Sequence, residues 1–388
     1  MKKNKIIDTI EKDYYKLYFI SICISCFSIL MITSATYIES GIFFVSRQLI
    51  FIIIGVIFMI ISAHLSILKF LSGYPRLVYV FAICLLLLLK SPLGVSSHGA
   101  TRWLKIPFIQ IQPVEIVKLG LIVMLASFIY KNHRYIRSFK FTVYCWILGI
   151  VPALLTVTLS SDLSSALVIL GITSGLTLLF NRTAKFQIPI FIIILSLAIG
   201  YVVYINNHLP NIQNIGDYSY RVVRIAAWLH PEQYPDISYQ TQISLYSIGS
   251  SGLLGVGLGK ADISIPEGHT DFIFSLLTHQ LGIFGGVCLI LAYAYMLFQI
   301  IKIAINATSL YDTILVTGVF MHLALQIIIN ICVATSLFPN TGLPLPIMSY
   351  GGSSTLMVFV ELGICINISK KSVLKYYKKL ESEEKGQE

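Results

Sequence analysis

The stretch Pro266-Glu267-Gly268-His269-Thr270-Asp271-Phe272-Ile273-Phe274 sets a polar, acidic turn directly against an apolar segment that runs to about residue 301. A helix crosses a bilayer core with about 20 apolar residues, so this run is long enough to span with tilt or overhang. The whole chain is built alike: of 388 residues 56% are hydrophobic and 12% charged, with a mean hydropathy of +0.80. That composition excludes a soluble globular domain. Nine more apolar runs lie near 17–37, 47–67, 76–91, 111–131, 141–160, 164–181, 187–207, 313–337 and 350–369. They lack the alternation of barrel strands, and backbone in lipid must bond within its own segment. The expected fold is therefore an all-α polytopic membrane protein of ten helices, one domain over residues 1–388.

Lys and Arg set the expected orientation. With the N-terminus in the cytoplasm, 20 of the 28 basic residues fall on the inner side and seven outside, Arg47, Arg102 and Lys105 among them, while Lys118 lies within a span. By the positive-inside rule both termini, 1–16 and 370–388, are cytoplasmic. The formal net charge of +10 is thus a topological signal, and nucleic acid is not implied. The first apolar run reads as a retained helix, and the polar 380–388 end is expected to lack regular structure. All seven cysteines sit inside apolar runs, which suits packing and forms no metal or disulfide pattern.

This orientation gathers the polar residues on the outer side, in the segments 92–110, 208–270 and 338–349. The long 208–270 loop between helices seven and eight reads as folded, because Leu245, Ile248, Leu253 and Leu254 recur among its turns at Gly249 to Gly259. Glu115 and Lys118 share a helix face at a spacing of three, and an ionisable pair inside a span is either a packing device or part of a site. Arg102 and Lys105 suit a phosphate or diphosphate, and Trp103 suits a head-group or sugar face. Asp162, ahead of the sixth span, reads as a helix cap or a substrate contact. The uncharged run Pro339 to Ser354 has prolines that rule out a regular helix. Its Ser349-Tyr350-Gly351-Gly352-Ser353 end is either a rigid re-entrant wall or a helix start that holds an anion. Asp271 likewise has two readings: a cap beside Thr270, or a general base in the company of Glu267, His269, Arg221 and Arg224.

Three of these segments together resemble one family: Pro266-Glu267 with His269 to Phe274, Gly342 to Pro346 with Ser349 to Ser354, and Arg102-Trp103 with Gln112-Pro113-Val114-Glu115. They are similar to the SEDS proteins FtsW, RodA and SpoVE, and the likeness extends over nearly all ten helices. The resemblance implies a peptidoglycan glycosyltransferase that polymerises lipid II into a nascent glycan strand at the outer face of the bacterial cytoplasmic membrane. It further implies a class B penicillin-binding transpeptidase as partner, Asp271 as the catalytic residue, and help from a divalent cation, Mg²⁺ or Mn²⁺. Donor sugar carrying its own diphosphate requires no nucleotide or organic cofactor. Ser244 to Gly249 and Gly255 to Gly259 resemble the FtsW/SpoVE branch more than RodA. The substrate side is expected to involve Gln112 and the polar residues named above, in a cavity bordered by spans four, eight and ten. Departures from the family pattern are Ser160 to Ser165, where only Asp162 and Leu163 match, Val114, His279-Gln280, and a shorter run from Gly259 to Pro266. A flippase for lipid-linked precursors and a non-catalytic scaffold of the synthase complex remain alternative readings.

Overall fold

The computed structural model describes residues 2–65, 67–97, 100–106, 109–181, 184–210, 218–260 and 265–385. Its thirteen α-helices are α1 (Lys2–Ser40), α2 (Phe43–His64), α3 (Ile67–Gly73), α4 (Pro75–Leu87), α5 (Pro113–Lys131), α6 (Phe139–Ser160), α7 (Leu163–Asn181), α8 (Ala184–Asn207), α9 (Tyr220–Leu229), α10 (Pro235–Ser250), α11 (Ile273–Ile305), α12 (Leu310–Ala334) and α13 (Gly352–Lys385). Nine of the described helices are long and apolar enough to cross a membrane, and the pair α3 and α4, bent by 88°, makes up the tenth candidate span. The chain is a multi-pass membrane protein.

Its core is one cluster that draws on α1, α2, α5, α7, α11, α12 and α13. The span α5 is the most enclosed, while α8 stands almost clear of the bundle. Ion pairs mark one face: Asp13 meets Lys16 at 3.3 Å and Lys302 at 3.7 Å, and Lys371 meets Asp312 at 2.6 Å. This face carries the ends of α1 and α13 nearest the chain termini. Helix α13 continues through Lys385, against the expectation for the 380–388 end; its length lets the polar tail extend a helix already nucleated by the span. Residues 386–388 lie outside the described residues.

On the opposite face two pieces depart from a plain bundle. The strands β1 (Gly94–Ser97), β2 (Ala100–Ile106) and β3 (Ile109–Ile111) form an antiparallel sheet, which the all-α expectation did not contain. In its register Val95 faces Trp103 but Ser96 faces Thr101, so Arg102 is the extra residue of a β-bulge. The long loop folds as expected, into α9 and α10 with a small core of Ile225, Ala226, Ala227 and Tyr234 packed on Ile205 of α8.

The eighth span, expected as one unbroken run, is instead broken at Gly282, with φ 73° and ψ −177°. That conformation is essentially restricted to glycine. The glycine-rich turn after α10 fills the break: Val256 and Gly257 donate to the carbonyls of His279 and Gln280, while Ile283 and Phe284 donate to those of Gly252 and Leu253. A Cβ at Gly282 would lie 2.2 Å from the Leu253 carbonyl oxygen, and one at Gly255 2.3 Å from that of Gln280. Gly282→Ala should therefore destabilise the protein by about 3 kcal/mol or more, from backbone strain plus the clash. Gly200→Ala, on α8 with nothing within 4 Å of the added methyl, should be neutral or stabilising in the same detergent melting experiment.

Candidate active site

The turn quoted at the outset is tightly self-bonded. Gly268 N–H donates to the Ile265 carbonyl, Thr270 N–H to that of Glu267, and the Thr270 hydroxyl to the Glu267 carboxylate at 2.9 Å. Glu267 adopts a left-handed φ of 55° to close the turn. Helix α11 begins after Phe272, whose side chain caps nothing, and no carboxylate caps the helix start. Asp271 is thus not the helix cap that its position beside Thr270 allowed. Its half-buried carboxylate faces a cavity of about 1210 Å³.

The cavity wall is formed by six stretches of chain. The sheet supplies Arg102, Trp103 and Lys105, and Gln110 and Gln112 follow. Arg224 comes from α9, with Asp236 and Gln240 from α10. The turn adds Glu267, Thr270 and Asp271, and the 340–354 run adds Asn340, Gly342, Tyr350, Gly351, Gly352 and Ser353. The last stretch was not expected: span two lines the cavity with Arg47, Ile50, Phe51 and Ile54, whereas spans four, eight and ten contribute only at their starts. In sequence Arg47 looked like an ordinary cation at a helix start, and nothing local marks it otherwise.

Asp271 sits among charges of both signs. Burial pushes its carboxyl from the usual carboxylate range up to about 6; the Arg224 guanidinium opposes that rise, Glu267 adds to it, Arg102 opposes it and Asp162 adds a little. The bulge aims Arg102 here: a methyl at Gly342 would lie 3.2 Å from Arg102 Nη1 and 3.4 Å from Asp271 Oδ2. Gly342 has a left-handed φ of 72° and keeps the space between cation and carboxylate open. Arg102 Nε is buried without a hydrogen-bond partner. Arg224 Nη1 donates to the Asn340 carbonyl at 2.9 Å, which steadies its charge at the cavity wall.

The other expected site residues divide by place. The His269 ring packs at a tilt against Phe44 at 4.7 Å and Tyr350 at 5.8 Å, and its carbonyl accepts from Tyr350 N–H. Ser349 is buried, its hydroxyl accepting from Leu345 N–H. Asp162 caps α7, accepting from Ser165 N–H and hydroxyl at 3.0 and 2.8 Å, as one of its two readings had it. Arg221 donates to the Val157 carbonyl and ties α9 to α6. None of these four lines the cavity. Glu115 and Lys118 do pair, at 2.8 Å and with no exposure, but they lie behind the wall. His279 and Gln280 are buried, with Gln280 Oε1 accepting from Ser34. Of the shortened Gly259 to Pro266 run, residues 261–264 lie outside the described residues.

The 340–351 run answers the question of how irregular backbone survives in an apolar bundle. Side chains serve it from all around: Ser164 donates to the Thr341 carbonyl, Asn330 to Leu343, Gln326 to Pro344, Tyr293 to Pro346 and Ser28 to Met348. Gln48 donates to the Ser349 carbonyl and accepts from Gly351 N–H. These bonds hold the run as a wall, and Gly351 N–H is taken by Gln48, while Gly352 and Ser353 at the start of α13 line the cavity.

A helical bundle opening a large cavity of mixed charge through one face, with apolar residues of a span as part of its wall, defines a polytopic membrane protein able to hold an amphiphilic, anionic molecule. The family described as cell cycle protein, FtsW/RodA/SpoVE, matches residues 14–374, and the chain belongs to it. It is 31% identical to stage V sporulation protein E of Bacillus subtilis, over 92% of this chain and 96% of that one. A probable peptidoglycan glycosyltransferase FtsW of Trichlorobacter lovleyi is 32% identical, over 90% and 91%. Among solved structures, a chain from a study of polymerization and crosslinking by a peptidoglycan synthase complex is 25% identical with a TM-score of 0.76, covering 92% of this chain and 97% of that one. Thermus thermophilus RodA shares the fold at a TM-score of 0.63 and 24% identity, covering 92% and 96%.

Removing one partner of a buried pair strands the other charge. Lys118→Met should cost about 3–5 kcal/mol in detergent melting, and pairing it with Glu115→Gln should restore most of that loss.

Proposed function

We propose that the chain is a peptidoglycan glycosyltransferase that polymerises lipid II. Asp271 carries this reading: a carboxylate that caps no helix, raised to about 6, on the cavity wall with the guanidinium groups of Arg224 and Arg102 acting on it. A base poised near neutral pH can take a proton and still be charged to do so. The acceptor sugar hydroxyl gives its proton to an Asp271 carboxylate oxygen as its own oxygen bonds to the donor anomeric carbon. The bond from that carbon to the diphosphate oxygen breaks, and the lipid diphosphate leaves with the electron pair. Arg102, Lys105 and Arg224 hold the leaving charge, and Trp103 offers a ring to a sugar face.

A divalent cation, Mg²⁺ or Mn²⁺, would be held mainly by diphosphate oxygens. Among the described residues no group of three His, Cys, Asp or Glu side chains forms a protein-made site, while Glu267, on the cavity wall, would supply the single carboxylate such a cation can take beside a phosphate. When bound it would offset charge on the leaving group. We read both termini as cytoplasmic from the basic residues, and on that reading the cavity opens at the outer surface of the bacterial cytoplasmic membrane. The partner is read as a class B penicillin-binding transpeptidase. The structural relative described under polymerization and crosslinking supports that reading.

Purified protein, with the transpeptidase where required, should polymerise lipid II, and Asp271→Asn should lower the rate about 10²–10⁴-fold while the protein still inserts. Because the base works charged and its folded value is about 6, the rate should fall about tenfold per pH unit below 6 and level off above it. A flat profile from pH 5 to 7, or full activity of Asp271→Asn, counts against the assignment.

A further inference from the structure

One edge of α12 carries His322, Gln326 and Asn330 at successive turns, all at most 1% exposed in the middle and upper part of a span. Their hydrogen bonds have a fixed direction. Gln326 Oε1 lies 3.2 Å from Lys118 Nζ and 2.9 Å from His322 Nε2, while Gln326 Nε2 lies 2.9 Å from the Pro344 carbonyl. Turning that amide over would set donor against donor and acceptor against acceptor. His322 Nε2 therefore carries a hydrogen, and Nδ1 faces Glu361 at 2.8 Å. One turn above Gln326, Asn330 Nδ2 donates to two carbonyls: that of Asp271 at 2.9 Å and that of Leu343 at 2.7 Å. Its Oδ1 is buried without a partner, so the amide is spent wholly on its two donors, and inverting it would face three oxygens together.

We propose that Asn330 is a positioning residue for the reaction: by holding the backbone of Asp271 to that of Leu343, it sets where the Asp271 carboxylate stands relative to Gly342 and Arg102. Asn330 does not line the cavity, so it touches no substrate. Gln326 holds the next carbonyl of the same wall, and its own orientation is fixed by Lys118 and by the His322–Glu361 pair. The buried polar side chains Lys118 of α5, His322 and Gln326 of α12 and Glu361 of α13 thus form one connected network behind the wall that Asn330 ties to Asp271. The inference rests on the reading of Asp271 as general base.

The test uses the full chain in the lipid II polymerisation assay, with kcat and KM measured apart. Asn330→Leu keeps the shape and removes the donors. It should lower kcat about 10–10²-fold, the scale set by a displacement near 1 Å at a reacting group, with KM for lipid II within about twofold. Leu323→Ala, a cavity variant two turns lower on the same helix, should lower melting temperature and leave kcat unchanged. Asn330→Asp adds a carboxylate behind Asp271, whose other charged neighbours are Arg224 from α9, Glu267 in its own turn, Arg102 from β2 and Asp162 at the start of α7. Its acid limb should move above that of the native protein. Combining either variant with Asp271→Asn should add no further loss, since both act through one group. A folded Asn330 variant with native kcat and native acid limb overturns the proposal, as does a raised KM with unchanged kcat. Full activity of Asp271→Asn alone overturns the base assignment instead, and is told apart from the former by that single variant.

Discussion

Backbone that is neither helix nor strand must find hydrogen-bond partners inside the protein when it lies in an apolar bundle, and the site depends on how this is met at residues 340–351. Six polar side chains from five helices, Ser28, Gln48, Ser164, Tyr293, Gln326 and Asn330, donate to carbonyls of that run. Four of these bonds are buried and the other two part-buried, so water replaces them poorly. The wall is consequently stiff without containing a single charge, and the charges opposite it, on Arg102, Arg224 and Asp271, are measured against a fixed surface. A cavity whose two sides are tied to the same bundle keeps its geometry while its contents change.

The same constraint explains why the Asp271 carboxyl is raised towards neutrality, as the proposed base role requires. A carboxylate at a helix start ordinarily accepts amide hydrogens and falls in pKa. Here the Gly268, Thr270 and Phe272 amides bond to the Ile265 and Glu267 carbonyls of the turn, and Asp271 is left with burial and with the charges of Arg224, Glu267, Arg102 and Asp162. Burial wins by enough to bring the group near neutrality. A closer ion pair would have lowered it and made it a poor base.

Much of this was legible in the residues because it is carried by period and length. The spans announce themselves by apolar run, the Glu115–Lys118 contact by its spacing of three, and Asp271 by standing where a charge needs a reason. The pieces that were not legible are short or conditional. Strands of four, seven and three residues give too little alternation to register, and Arg102 as a bulge exists only in relation to β1. The break at Gly282 sits in an apolar run that reads as continuous, since its cause, the paired turn at Gly252 to Gly257, lies about thirty residues earlier. Arg47 faces the cavity only because α2 packs on α13.

The bulge at Arg102 has a consequence for how this chain can vary over evolutionary time. Side chains alternate along a strand with a period of two, so a pairing shifted by one residue turns every following side chain to the other face. Apart from Gly94, Leu104 and the cavity-lining Arg102, Trp103 and Lys105, the positions of β1 and β2 can exchange residue types, but the loss of one residue from β2 near the bulge would close it, displace or remove the guanidinium beside Asp271 and turn the strand beyond it. In this segment length is the conserved quantity that the structure demands, and relatives that keep the site should tolerate substitutions there far more readily than single-residue insertions or deletions.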